Sequence, residues 1–364
     1  MGKRNRGVLN LRAGDVIEVR SAEEILATLD RAGRLDNMPF MPEMLQYCGK
    51  RFRVFKRADK TCDNIQAWSI RRIRNTVHLE GLRCDGAGHG SCQAACLIFW
   101  KEAWLKRAGD LVELNGTAPA PEHAPATGSL VTVESIFEAS CRIQEGEAVY
   151  TCQATELRNF STHLPWWDFR QYIRDVRSGN LLPGWSGGSR SERALEMALS
   201  IGQLVQVLLI GIFNKVQEVR HEIQYPWIEG VLKKTQKTEL NLQPGELVQV
   251  RSREEIVATL DKQNRNRGLL FDAEMLRYCG GIYRVVGRVN RIVDERTGKM
   301  LVMKNPCIVL EGVYCRSDYH RLCPRAIYSY WRENWLVRAN PAGPEGMQAA
   351  RQESSEEYTV GKTE

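Results

Sequence analysis

The chain has 364 residues, 43% of them hydrophobic and 26% charged, with a net charge of +7. This length supports two or three domains with sizeable cores, and the composition is that of an ordinary soluble globular protein. The positive excess is spread along the chain, so it permits a nucleic-acid or acidic partner without arguing for one.

Met1 to Arg6 is short and basic with no apolar run behind it, and does not read as a secretory signal. The eleven cysteines are an odd number and several cluster with histidine. In the absence of an export signal they read as metal ligands in a reducing cytoplasm rather than as a disulfide framework.

A first module spans residues 1–107. Gly14 and Asp15 form a turn into a strand, because residues 16–20 alternate apolar and polar side chains. Ser21 suits a helix N-cap with Glu24 three residues on, the capping-box pattern, and the helix that follows buries Ile25, Leu26 and Leu29. A short helix is expected over 42–47 and strands over 51–57 and 77–82, with Cys62 on the strand or hairpin between them. A loop then carries Cys84, His89, Cys92 and Cys96. A helix with Trp100 and Trp104 on one face closes the module. Cys92 and Cys96, at i and i+4, could share one helical face.

Residues 108–128, rich in Gly, Pro, Ala and Thr, read as a linker. A central α+β segment fills 129–237. Strands are expected at 130–138 and 147–153, and a helix from His163 to about Arg177, ended by Ser178, Gly179 and Asn180. Residues 183–191 read as a flexible loop. The apolar run 198–213 is interrupted by Gln203 and Gln206 and falls short of the roughly 18 residues a membrane span needs. It reads as a buried helix, with an interfacial helix as the alternative. Trp166 and Trp167 are expected to pack in the core, with a ligand groove as the second reading.

Module two, residues 238–339, repeats module one. Residues 9–30 read LNLRAGDVIEVRSAEEILATLD and residues 240–261 read LNLQPGELVQVRSREEIVATLD, an offset of 240 − 9 = 231 that holds without a gap. Glu43, Met44, Leu45, Tyr47, Cys48 and Gly49 recur as Glu274, Met275, Leu276, Tyr278, Cys279 and Gly280. Trp100, Glu102 and Trp104 recur as Trp331, Glu333 and Trp335. One fold is therefore used twice. In this copy residues 294–299 form a polar turn between strands, which predicts a hairpin. Residues 340–364 are expected to be disordered.

The opening Gly14-Asp15-Val16-Ile17-Glu18-Val19, followed by further short strands, resembles the start of SH3-like or KOW-type small barrels. The resemblance implies an α+β fold class. Two repeated SH3-like β-barrel modules with helical additions are joined by a mixed, partly helical segment. The tandem Cys/His pattern as a whole is similar to that of a bacterial family to which no activity attaches; that likeness implies a location and no mechanism.

The metal ligands are clearest in copy two, where Cys307, Cys315, His320 and Cys323 lie close in sequence. Three thiolates and one imidazole suit tetrahedral zinc. Pro324 fits the first position of the closing helix, which places Cys323 at its N-cap, where the helix dipole favours a thiolate. Copy one keeps Cys84, His89 and Cys92. Thr76 replaces Cys307, and Cys62 or Cys96 supplies the fourth ligand, with Cys141, Cys152 and His163 as further candidates. Two zinc sites follow. An iron–sulfur cluster in module one is the alternative, because three cysteines and a histidine also hold a 2Fe–2S cluster. Residues 84–89 are similar to the CDGSH iron–sulfur motif, but the upstream Cys-x-Cys is missing and the histidine falls one residue late. Cys48 and Cys279 read as buried core cysteines.

Two functions follow from this reading. A closed four-ligand site implies a zinc-stapled binding or scaffold protein that engages a protein or nucleic-acid partner, with Arg71, Arg72 and Arg74 available to phosphates. The surplus thiols of copy one imply instead an iron–sulfur or metal-dependent redox or enzymatic protein, or a metal-responsive sensor. No Ser/His/Asp set, phosphate loop or Rossmann glycine pattern names a reaction.

Overall fold

The computed structural model describes residues 8–65, 69–108, 131–181, 190–220 and 222–339. The N-terminal hexapeptide, most of the expected linker, most of the loop at 183–191 and the tail at 340–364 lie outside them. The fold is mixed α+β, built from small antiparallel sheets and few helices.

Each copy forms one five-stranded antiparallel sheet. In copy one the order is Trp100–Lys101, Thr76–Leu79, Arg51–Arg57, Val16–Val19, Leu105–Arg107. In copy two it is Tyr328–Trp331, Met300–Tyr314, Ile282–Val293, Leu247–Val250, Leu336–Arg338. The two edge strands of each sheet are consecutive in sequence, joined by a 3-10 turn at Glu102–Trp104 or Glu333–Trp335. No ladder joins those edges among the described residues, so each sheet is open and the closed barrels expected from the sequence are not formed.

The local signals set these elements. Gly14 and Gly245 take φ of 89° and 90°, the left-handed turn that leads into each first strand. Ile17 and Val19 then face the core while Val16 is exposed, the period-two pattern of a half-buried strand. Ser21 and Ser252 close capping boxes with Glu24 and Glu255. The expected hairpin forms in copy two, where Asp294 N–H donates to Lys299 O at 2.9 Å.

The closing helix does not form. Trp100 lies on a strand and Trp104 in the 3-10 turn, both fully buried. Phe40 meets them edge-on at 6.5 and 5.3 Å. The reason is Glu102, also buried, which accepts the N–H groups of Leu9 (2.8 Å) and Leu11 (2.9 Å) and pairs with Arg57 at 2.6 Å. A continuous helix turns residue i+2 about 200° away from its neighbour. A strand running into a tight turn instead sends both indoles and the carboxylate inward. Glu333 repeats the arrangement with Leu240, Leu242 and Arg288.

The central segment departs from expectation in four places. Residues 130–138 were expected as a strand; the helix Val133–Ser140 forms instead, because Thr132 and Ser135 make a reciprocal cap. The helix expected from His163 begins only at Arg170 and runs to Arg177, while Thr162–His163 pairs with Ile70–Arg72. The apolar run belongs to a longer helix, Arg190–Arg220, that is not buried as expected. Val207 packs with Tyr172, Leu181 and Leu322, whereas Leu199, Ile201, Val205, Leu209 and Ile212 are exposed. No helix among the described residues is long and apolar enough to cross a membrane. Trp166 and Trp167 are 47% and 60% exposed rather than in the core.

The chain forms two compact units. The first comprises Met1–Ile212 with Arg291–Val302 and Arg316–Ile327, so it includes the tip of copy two's hairpin and the loop bearing His320 and Cys323. Its core is built on Ile17, Val54, Phe99, Trp100 and Trp104. The second comprises Phe213–Asn290, Met303–Cys315 and Tyr328–Glu364, with a core on Val248, Phe271, Trp331 and Trp335.

Candidate metal centres

Glu43, Cys84 and His89 converge, with one donor atom from each lying within 4.8 Å of the others. Glu43 comes from the 3-10 helix Pro42–Tyr47, whose Pro42, Glu43 and Met44 are all buried. Cys84 and His89 come from the loop after the Thr76–Leu79 strand, where Gly86 at φ 75° and Gly90 at φ 60° flank the turn Ala87–His89. A Cβ on Gly86 would collide with the Cys92 backbone, so glycine is required there.

His89 Nδ1 lies 2.6 Å from Glu43 Oε1 and 3.9 Å from Cys84 Sγ, and Cys84 Sγ lies 3.9 Å from Glu43 Oε1. The other ring nitrogen, Nε2, faces Thr151 O at 3.2 Å. An N–H on Nε2 donating to that carbonyl leaves Nδ1 turned inward, which is how metal-bound histidines are oriented. A tetrahedral zinc needs about 3.3 Å between its O and N donors and about 3.5 Å from S to either. Both sulfur distances are within about 0.4 Å of that. The Glu43–His89 distance must open by about 0.7 Å as a metal replaces the proton shared between them.

Electrostatics agree with the geometry. Burial works against ionised Glu43, but the His89 hydrogen bond and charge and the Gly88 N–H, 2.8 Å from Oε1, hold its pKa below the usual value. Oε2 of Glu43 is buried with no hydrogen-bond partner. A buried carboxylate oxygen without a donor calls for a reason, and a cation among these three groups supplies one. Burial, then the Glu43 charge, pushes the Cys84 thiol far up. A divalent cation held by Glu43, Cys84 and His89 would reverse that balance and favour the thiolate.

The same residue types recur at the same offset. Glu274, Cys315 and His320 stand at the equivalent positions of copy two. The loops share their backbone conformation: Gly86, Gly90, Ser91 and Ala95 take positive φ, and so do Ser317, Arg321, Leu322 and Ala326. His89 N donates to Gly86 O at 2.9 Å, and His320 N to Ser317 O at 3.3 Å. Four non-glycine residues held at positive φ in copy two represent backbone strain that the rest of the structure sustains.

Of the residues expected from sequence, Cys84 and His89 join the triad with Glu43, and Cys315 and His320 hold the equivalent positions of copy two. The glutamates were not expected as ligands. Their signal was recurrence of an acidic residue inside an apolar Glu-Met-Leu run in both copies. Cys62 and Cys323, assigned by spacing to separate sites, lie against each other instead, with Cys62 N–H donating to Cys323 Sγ at 3.0 Å. Cys323 is not a helix N-cap and Pro324 opens no helix; the segment is a turn. Cys92 and Cys96 share no helical face, because residues 92–96 form an irregular loop with Ala95 at φ 47°. Cys92 Sγ accepts the Val293 N–H at 3.3 Å. Cys84, His89, Cys92, Cys96 and Cys152 line one cavity, with Arg325 and Glu295 on its wall. Burial raises Cys96 to about 11 and Cys152 to about 12. Cys307 is buried with Arg332 Nη1 3.5 Å from its sulfur. Cys48 and Cys279 pack at the edges of the two cores, half-buried rather than buried as expected. Arg71 is engaged by Ser161 O at 2.8 Å and Arg72 by Asp168, so neither guanidinium is simply presented to solvent.

Comparison with protein-family models, with curated proteins and with solved structures yields no match to this chain.

Proposed function

We propose that this is a tandem metal-binding protein in which each copy of the repeat holds a divalent cation, zinc by the chemistry of its donors, on a glutamate, a cysteine and a histidine. The observation that carries the reading is the convergence of Glu43, Cys84 and His89, whose residue types return in sequence at one offset as Glu274, Cys315 and His320. A mixed O, S and N donor set suits zinc better than magnesium or calcium, which take oxygen. Each metal staples a loop to the short 3-10 helix that carries its glutamate. The strand order and the 3-10 link between edge strands support an SH3-like reading of each module. Its role is that of a binding or scaffold module. The exposed Trp166, Trp167, Phe169 and Ile173, and the exposed apolar side chains of helix Arg190–Arg220, support a protein partner, because large exposed apolar side chains mark interaction surfaces.

One observation favours a second reading. Three protein ligands leave a coordination position open, as in catalytic zinc sites. In copy one that position adjoins the cavity bordered by Cys92, Cys96 and Cys152. A metal-dependent or iron–sulfur centre in module one would use those thiols.

Metal analysis with a visible spectrum of the purified protein separates the two. Two zinc ions per chain and no visible absorbance support the first reading. A coloured protein containing iron supports the second. Glu43→Gln and Glu274→Gln should each weaken one zinc site; unchanged affinity at both sites in the double variant would refute the triads.

A further inference from the structure

Cys62 ends the strand Lys60–Cys62 and is half-buried; Cys323 is buried in the loop after His320. They are 261 positions apart in sequence, yet the Cys62 amide donates to the Cys323 sulfur at 3.0 Å and the two side chains hydrogen-bond as well. Neither belongs to a Glu–Cys–His triad. Beside them stands Arg325, 2% exposed, paired with Glu295 at 2.9 Å and reaching toward Cys62 O at 3.4 Å. The thiolate is the form of a cysteine that attacks a disulfide.

We propose that Cys62 and Cys323 are a reactive dithiol that low-molecular-weight disulfides oxidise to an intramolecular disulfide, a redox site separate from both triads and independent of the metal reading. Half-buried Cys62 is the point of entry. Its thiolate attacks one sulfur of an oxidised small thiol such as oxidised glutathione, forming a mixed disulfide and expelling one small thiolate. The enclosed Cys323 thiolate then attacks the Cys62 sulfur, forms the Cys62–Cys323 bond and expels the second small thiolate. The two protein thiols lose two electrons, the small disulfide gains them, and the two thiol protons end on the released small thiols. Enclosure of Cys323 matters here. Reagents from solvent meet Cys62 first, and the Cys323 sulfur already lies against it to resolve the mixed disulfide. The product bond joins a strand of the first repeat to the loop that carries His320.

The test uses the full native chain in glutathione buffers of increasing oxidised fraction, followed by acid quench, alkylation, digestion and mass spectrometry without reductant. The expected result is one linked pair of peptides, containing Cys62 and Cys323 and two hydrogens lighter than the separate thiols. It should appear at oxidised fractions where the other nine of the eleven cysteines still alkylate after unfolding. In Cys323→Ser, Cys62 should stop as a glutathione mixed disulfide; in Cys62→Ser, Cys323 should remain a thiol. Three results would each overturn the proposal: linkage of Cys62 to Cys92 or Cys96, accumulation of wild-type Cys62 as the mixed disulfide, or protection of both thiols by equimolar zinc that a chelator reverses. The first two are read on the unmutated protein, so they do not depend on a variant folding.

Discussion

Acidification should destabilise this fold through one side chain, His78. It lies on the Thr76–Leu79 strand, fully buried, with Nδ1 2.9 Å from Ile98 O and its ring 4.6 Å from Phe99. The carbonyl can only accept, so Nδ1 carries the proton, and Nε2 has no partner. Burial lowers its pKa to about 3, with the charges of Arg325, Arg83 and Lys56 adding to the effect against the Ile98 hydrogen bond. The unfolded chain titrates near the ordinary value of about 6.5. Between those values the unfolded state binds the extra proton. The stabilisation is therefore complete above about pH 6.5 and is lost as pH falls toward 3. From pH 8 to pH 5 the loss is about 2 kcal/mol, and over the whole window about 5 kcal/mol. Copy two carries Val309 at the equivalent position, so His78→Val is a replacement this fold already accommodates. Urea unfolding of both proteins at pH 8 and pH 5 isolates the term, because every other titrating group is common to the pair. The wild type should lose about 2 kcal/mol more than His78→Val. Equal losses would show that His78 is protonated in the fold or exposed, and the reasoning fails.

Glu43→Gln should lower zinc affinity at the first site by roughly tenfold or more, measured by competition with a chromophoric chelator, and leave the second site loaded. Affinity at both sites should fall as pH drops, because Cys84 and Cys315 must release a proton to bind; a pH-independent affinity would argue against thiolate ligation. Glu102→Ala strips the N–H groups of Leu9 and Leu11 and the Arg57 guanidinium of their acceptor, and should cost about 3–5 kcal/mol in urea unfolding. Thr28→Val leaves the buried Trp104 Nε1–H, now 3.1 Å from Thr28 Oγ1, without an acceptor and should cost about 1–3 kcal/mol.

Local chemistry was legible in the sequence wherever a short segment determines its own backbone. The capping boxes at Ser21 and Ser252, the glycine turns before each first strand and the hairpin turn at 294–299 depend on neighbours within a few residues, and they form as the residues require. The repeat was legible as well, and with it the pairing of Cys84 with His89. Patterns that two backbones satisfy equally were not. Trp at i and i+4 can face one way on a helix or in a strand that runs into a 3-10 turn. Only the buried Glu102, reaching back to Leu9 and Leu11, chooses between them. The apolar stretch at 198–213 gave the helix and not its burial, because what covers a helix lies elsewhere in the chain.

The metal centres divide in the same way. Sequence alone determined that each repeat offers a cysteine and a histidine five residues apart in one loop. Only the tertiary structure supplied the third donor, because Glu43 lies 41 residues before Cys84 and meets it through chain packing. It also separated Cys62 from the first triad and Cys323 from the second, and set the two against each other. Spacing along a chain limits which ligands can meet; it does not decide which do. That decision falls to the buried strands and turns, which fix where each loop ends in space.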